Sequence, residues 1–330
     1  DSAQTGMAGT SESRGPVSSN QFCNDMANKS AVRKHETTAG QHQTALVKMI
    51  RSLSYARHTH EVFSDFIELS ALSISNAVDK VHYEKREARY LDIVGKYKKE
   101  EVALFPQMFG ELVLCYEERI AGSFNEETGL PRGGLADVLG SLYMMFELGN
   151  ERTGQFFTPF EVSKLMAMVL VGDGAEVRQK GFLRLNEPAC GAGGMVIAYA
   201  DALLDAGINY QNSMHAICVD IDPRCVHMAY LQLSLLHIPG VVVHGNALSL
   251  EEWGHWYTPA HILGGWRARL ARETERERAE ADALALLNPP DTQYAPQNDP
   301  QPRGPAPVVT APAPEPAAID FKKLEQLALF

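Results

Sequence analysis

In the first half of the chain the apolar residues recur at helical spacing. Val62, Phe63, Phe66, Ile67, Leu69 and Ile74 keep roughly to one face, and Leu91, Ile93 and Val94 begin another run. Leu112, Val113, Leu114 and Tyr116, then Leu135, Val138, Leu139, Leu142, Tyr143 and Phe146, continue the pattern, with Gly133, Gly134 and Gly149 as punctuation. A helical domain is expected over residues 43–150. After Phe157 the texture changes to short apolar or β-branched runs separated by helical ones. Strands are expected at 182–186, 214–219 and 241–243, and helices at 195–204 and 225–236. Strands alternating with helices predict a parallel, doubly wound α/β sheet over residues 151–265.

The flanks read differently. Residues 1–42 are rich in Ser, Thr, Gln, Gly and Asn, the composition of a disordered tail. Residues 266–287 place opposite charges at i,i+3 and i,i+4, which predicts a solvated charged helix. Residues 288–319 are crowded with Pro and Ala and predict an extended linker. Residues 320–330 regain apolar character, as a short docking peptide would.

Composition changes the picture in three places. A chain of 330 residues, 45% hydrophobic and 22% charged, has room for one α/β core plus a smaller helical unit. No apolar run approaches the roughly 18 residues of a membrane span, and no basic-then-apolar leader opens the chain, so a cytoplasmic protein without a membrane partner is expected. The cysteines (Cys23, Cys115, Cys190, Cys218, Cys225) show no metal-ligand spacing, so reduced thiols and no metal site are expected. The net charge of −11 argues against a protein that grips DNA unaided, and for a local patch or a partner.

Three segments carry candidate chemistry. Glu187-Pro188-Ala189-Cys190-Gly191-Ala192-Gly193-Gly194 follows a strand and opens a helix, where glycines allow a tight turn and close approach of a ligand to helix-terminal N–H groups. Its spacing departs from the dinucleotide fingerprint GxGxxG, and a bare structural turn is the alternative. Asp220, at the end of the next strand, is placed to accept from ribose hydroxyls. Asp222-Pro223 reads as a helix N-cap followed by Pro at the first helical position. Upstream, Thr158-Pro159-Phe160-Glu161 reads as a capping box, and Phe156 and Phe157 before it as core packing.

In order, GQFFTP from Gly154, EPACGAGG from Glu187, and the acidic Asp220 resemble the pattern of adenine-N6 DNA methyltransferases, and within them the modification subunits of type I restriction-modification systems. The resemblance implies a Rossmann-like methyltransferase sheet, here shortened, behind a helical domain. It also implies S-adenosylmethionine as cofactor, DNA as substrate and a specificity subunit as partner. Carried over, the cofactor roles fall on Phe157, Thr158 and Pro159; on Glu187, Ala189, Cys190, Gly191 and Gly193; and on Asp220, with Ile221 against the adenine. Glu187 stands where the family has Asp. Asn246, in His244-Gly245-Asn246-Ala247-Leu248, stands where the family has an Asp near the adenine amino group, a polar turn being the alternative.

Family members also hold the target amine with an (N/D)PP(Y/F) loop after a fourth strand. No such loop follows Leu248. The one NPP is Asn288-Pro289-Pro290, a weak catalytic candidate at the head of the linker. Trp253, Trp256 and Tyr257 read as core aromatics or, in an RNA or protein methyltransferase, as a pocket. A chain that kept only cofactor binding is the rival reading. Finally, Gln326-Leu327-Ala328-Leu329-Phe330 resembles the peptide by which bacterial proteins dock on the DNA sliding clamp, with folding back on the protein as the alternative.

Overall fold

The computed structural model describes residues 40–121, 129, 133–146, 157–287 and 327–328. Before the sheet come α1 (Gln41–Leu53), α2 (Thr59–Val78), α3 (Tyr83–Val94), α4 (Lys99–Val102), α5 (Leu104–Ile120) and α6 (Val138–Met145). Leu46, Val47 and Ile50 of α1 face Val62, Phe63, Phe66 and Ile67 of α2 and Met108, Leu112 and Cys115 of α5 in one buried cluster. This is the face that the i, i+3, i+4 spacing marks out. Of the expected tails, only residues 40–42 and 327–328 are described, and Gln41 and His42 open α1 rather than belonging to a disordered tail.

The second half continues with α7 (Phe160–Val171), α8 (Ala175–Lys180), β1 (Leu183–Glu187), α9 (Gly194–Asp205), α10 (Tyr210–Ser213), β2 (Met214–Asp220), α11 (Pro223–Leu235), β3 (Gly240–Asn246), β4 (Glu251–Tyr257), α12 (Pro259–Leu263), α13 (Trp266–Leu287) and β5 (Leu327–Ala328). The sheet order is β4-β3-β2-β1-β5. β1, β2 and β3 are parallel neighbours, in register at Leu185–Ala216 and Val219–Val243. The mixed α/β class and the three parallel strands are as the alternation predicts.

Two strands were not foreseen. β4 pairs antiparallel with β3, with a bulge at His244/Gly245. In the segment Glu251-Glu252-Trp253-Gly254-His255-Trp256-Tyr257 only Trp256 is buried, so the usual in/out alternation of apolar residues is missing. β5 is two residues long and lies parallel to β1, Leu185 opposite Leu327 and Asn186 opposite Ala328. The start of α7 also differs. Thr158 does not form the expected capping box: the helix starts one residue later, with Pro159 as N-cap, whose carbonyl accepts the first helical bonds from Val162 and Ser163 and whose ring has no acceptor to offer.

The helical half is welded to the sheet through α11. This helix packs on α2 and α6 as well as on β2 and β3. Its Gln232 is fully buried and uses all four hydrogen-bonding positions. Its Oε1 accepts from Tyr116 Oη (2.5 Å) and Leu139 N (3.0 Å). Its Nε2 donates to Asp137 Oδ1 and to the Ala192 carbonyl, both at 2.7 Å. Three bonds reach the helical half and one reaches the glycine loop, so this amide fixes where the loop sits. Nothing in the sequence marks Gln232 among the apolar residues of its helix.

At the other end of the sheet, His215 and His261 form a buried pair, Nε2 to Nδ1 at 2.8 Å, against Trp266. The second ring nitrogen of His215 has no partner. Burial, and then the neighbouring His261, push His215 down to about 3, and burial pushes His227 down to about 4. Histidines with depressed folded-state pKa values bind fewer protons folded than unfolded. The stability they allow is present above the unfolded value near 6.5 and is lost as pH falls below it. Urea unfolding at pH 7.5 and 5.5 should show this loss. His215→Leu should flatten the slope by up to about 1.4 kcal/mol per pH unit; an unchanged slope would count against the neutral pair.

Candidate functional site

The site forms where β1 and β2 end. Cys190 N donates to the Val219 carbonyl (2.9 Å) and Gly193 N to the Cys190 carbonyl (2.8 Å), so the loop after β1 is a tight turn tied to β2. Gly191 and Gly193 sit at φ +52° and +88°, the left-handed region that side chains disfavour. Gly191 has a second reason to be glycine: a Cβ there would stand 3.0 Å from the Phe157 ring. α9 then starts at Gly194, with its free N–H groups facing the cleft.

Asp220 holds the loop from the β2 side. Its Oδ2 accepts from Gly191 N (2.8 Å) and its Oδ1 from Asp222 N (2.9 Å). Of the two aspartates, Asp222 takes the expected capping role: it is the N-cap of α11, accepting from Arg224 N, with Pro223 at the first turn. The backbone bonds of Asp220 are an addition that sequence reasoning missed, because they depend on β1 and β2 being neighbours.

The cleft itself is lined by Phe157, Thr158, Glu187, Ala189, Cys190 and Gly191 among the expected residues. Asp137, Ser163, Ala192, Gly194 and Met195 complete it. Phe157 stacks on Tyr143, ring centroids 5.1 Å apart, so the ring is held as a wall rather than swallowed by the core. Pro159 is exposed beside it. Ile221, 60% exposed, lies beyond Asp220, where His244 Nε2 reaches the Ile221 carbonyl at 3.3 Å. Asn246 is spoken for: its Oδ1 accepts from Leu248 N (3.0 Å) and Ser249 N (3.4 Å), a turn-forming role.

Asp137 is a lining residue that sequence reasoning missed. It caps α6, accepting from Gly140 N at 2.8 Å, and an acidic residue just before the apolar run Val138-Leu139 was the available signal. Burial is the largest influence on Asp137, Glu187 and Asp220, and it pushes all three carboxyls upward. Glu187 is 1% exposed; Oε1 accepts from Ala189 N, and Oε2 has no partner. A buried carboxyl oxygen without a partner, on a residue that lines a cleft with Asp137, suits a ligand that brings N–H donors and positive charge. S-adenosylmethionine, with an ammonium and a sulfonium, fits that description; the pyrophosphate of a dinucleotide does not.

A larger cavity of about 420 Å³ lies between α2, α3 and β4, lined by Arg86, Arg89, His227, His244 and Trp253 among others. Its guanidiniums are already engaged, Arg86 with Asp79 (2.6 Å) and over the Trp256 ring, Arg89 with Glu68 (2.7 Å). Trp256 is core, as expected, whereas Trp253 is half exposed. Asn288, Pro289 and Pro290, like Gln326, Leu329 and Phe330, lie outside the described residues. Among the described residues no group of His, Cys, Asp and Glu is arranged to hold a metal ion, and no helix is long and apolar enough to cross a membrane.

Comparison with known proteins agrees with this chemistry. Residues 135–265 match the family described as N-6 DNA Methylase. The matched stretch begins at the Asp137 cap and spans Phe157, the glycine loop, Asp220 and Asn246. No curated protein sequence matches significantly. Among solved structures, one described as a class I S-adenosylmethionine-dependent methyltransferase from Listeria monocytogenes is similar at a TM-score of 0.30 and 15% identity. The match covers 64% of this chain and 55% of that one, and a similarity that weak decides nothing about chemistry. Within residues 135–265 the family match and the acidic cleft support S-adenosylmethionine as the cofactor.

Proposed function

We propose that the chain methylates the N6 amine of adenine in DNA, in the manner of the modification subunits it resembles. The observation that carries this reading is the cleft lined by Phe157, Glu187 and the loop residues Ala189–Ala192, whose Gly191 is held by Asp220, within a stretch matched by an N-6 DNA methylase family. When bound, S-adenosylmethionine supplies an electrophilic methyl group. In this reading Glu187 Oε2 accepts from the ligand ammonium, Asp220 accepts from the ribose, and Ile221 packs on the adenine. Phe157 closes the wall behind the methionine part. Thr158, Pro159, Ala189 and Cys190 shape the rim, and Asn246 keeps its turn beside the adenine.

The target amine needs a holder, because its lone pair is delocalised into the ring. We assign that role to Asn288 with Pro289 and Pro290. Support comes from the course of α13. Trp266 at its start packs by His215 of β2, while Glu277 pairs with Arg184 of β1 at 2.5 Å. Arg184 and His215 are register partners, so α13 crosses from β2 towards β1, and its last residue, Leu287, directly precedes Asn288 in the chain. With a net charge of −11, sequence choice and DNA affinity are best supplied by partners. A specificity subunit and a sliding clamp docked through Gln326, Leu327, Leu329 and Phe330 would serve in a cytoplasmic protein.

The test is transfer of labelled methyl from S-adenosylmethionine to unmethylated duplex DNA, with nucleoside analysis of the product. N6-methyladenine is expected, and at least 100-fold less of it from Asn288→Ala. Full transfer by Asn288→Ala would remove the Asn288 assignment. Cofactor binding with no label in DNA from the unaltered chain would sink the DNA reading itself.

A further inference from the structure

The sheet is closed on one side and open on the other. β4 borders β3 along its whole length, but β1 is bordered beyond β2 only by the two residues of β5. A strand edge left with unpaired N–H and carbonyl groups invites a further strand. The helix layer is open on the same side. α11 lies on β2 and β3, α9 on β1, and α7 packs chiefly on α9. It is therefore the outermost helix towards the free edge of β1.

That helix is apolar on both faces. Ser163, Ala167 and Val171 turn inward. Leu165, Met168 and Val169 are 64%, 54% and 76% exposed, and Val162 is 45% exposed one turn earlier. An apolar stripe of this kind on a helix marks a surface that something covers.

We infer that the covering element is the chain's own C-terminal segment, residues 319–330. Its backbone at Leu327–Ala328 already lies on the free edge of β1. The segment Ile319-Asp320-Phe321-Lys322-Lys323-Leu324 before that point, and Leu329-Phe330 after it, bring the apolar side chains that the α7 stripe lacks. α13 delivers the chain to the β1 side, and residues 288–326 leave ample length to return to the edge. The segment is a strap across the two elements that lead into the cleft: β1 ends at Glu187, and α7 follows directly on Phe157–Pro159. Clamp docking would use the same leucines, so strap and clamp compete for them.

Hydrogen–deuterium exchange of the full chain tests this against Leu327→Pro, which cannot sustain the edge pairing, and against a chain ending at residue 318. Amides of α7 and β1 should exchange at least five times faster in both variants. A synthetic peptide of residues 319–330 should restore protection to the shortened chain. Unchanged exchange in both variants would overturn the inference. So would protection in the full chain that rises with protein concentration, since that assigns the face to a second copy.

Discussion

Replacing Gln232 by Leu should cost about 4 kcal/mol of stability or more. The substitution is close to isosteric, so packing is not the reason. Four buried groups lose their partner together: Tyr116 Oη, Leu139 N, Asp137 Oδ1 and the Ala192 carbonyl. Leaving a buried polar group unpaired costs about 1–3 kcal/mol each, and only Asp137 keeps another donor, from Gly140 N. Set against a typical stability of about 5–15 kcal/mol, the loss is large. Tyr116→Phe removes a single member and should cost about 1–2 kcal/mol. Because both changes strike one network, the double variant should be less destabilised than the two single losses added. Urea unfolding of the three variants checks this, and strict additivity would break the network account.

Asp220→Ala should weaken S-adenosylmethionine binding at least 100-fold while the protein still folds. Two effects act together. The ribose loses its acceptor, and Gly191 N and Asp222 N lose the carboxylate that holds the loop against β2. Hydrogen bonds to a charged group contribute about 1.5–3 kcal/mol each, and about 1.4 kcal/mol is tenfold in affinity. The fold should survive because burial already disfavours this carboxylate, pushing its pKa up, so its removal also relieves a cost. Asp220→Asn keeps one acceptor oxygen and should fall between the two. Titration calorimetry measures all three, and an Asp220→Ala affinity near that of the unaltered chain would remove Asp220 from the site.

Much of this site is legible along the chain because its determinants are local. The strand, glycine turn and helix at 183–205 announce themselves through apolar runs bounded by Gly191 and Gly193, whose backbone angles only glycine adopts easily. Asp222-Pro223 signals its cap in two residues. The capping box at Thr158 is the local signal that misled: the helix begins one residue later, at Pro159, whose ring carries no side-chain acceptor. β4 was missed because its alternation is of exposed residues, so pattern had nothing to register until β3 stood beside it.

By itself, then, the amino-acid sequence determined the mixed α/β class, the order of the elements around the glycine loop, and the residues that resemble a methyl-donor site. Those features depend on backbone propensity and on neighbours within a few positions. Only the tertiary structure decided which groups meet. It put Gln232 between Tyr116 and Ala192, turned Asp220 towards Gly191, left Glu187 Oε2 without a partner, and left β1 and α7 open on one side. Each of those depends on segments distant in sequence brought together by burial of the shared core, and a hydrogen-bond partner across such a distance leaves no local mark.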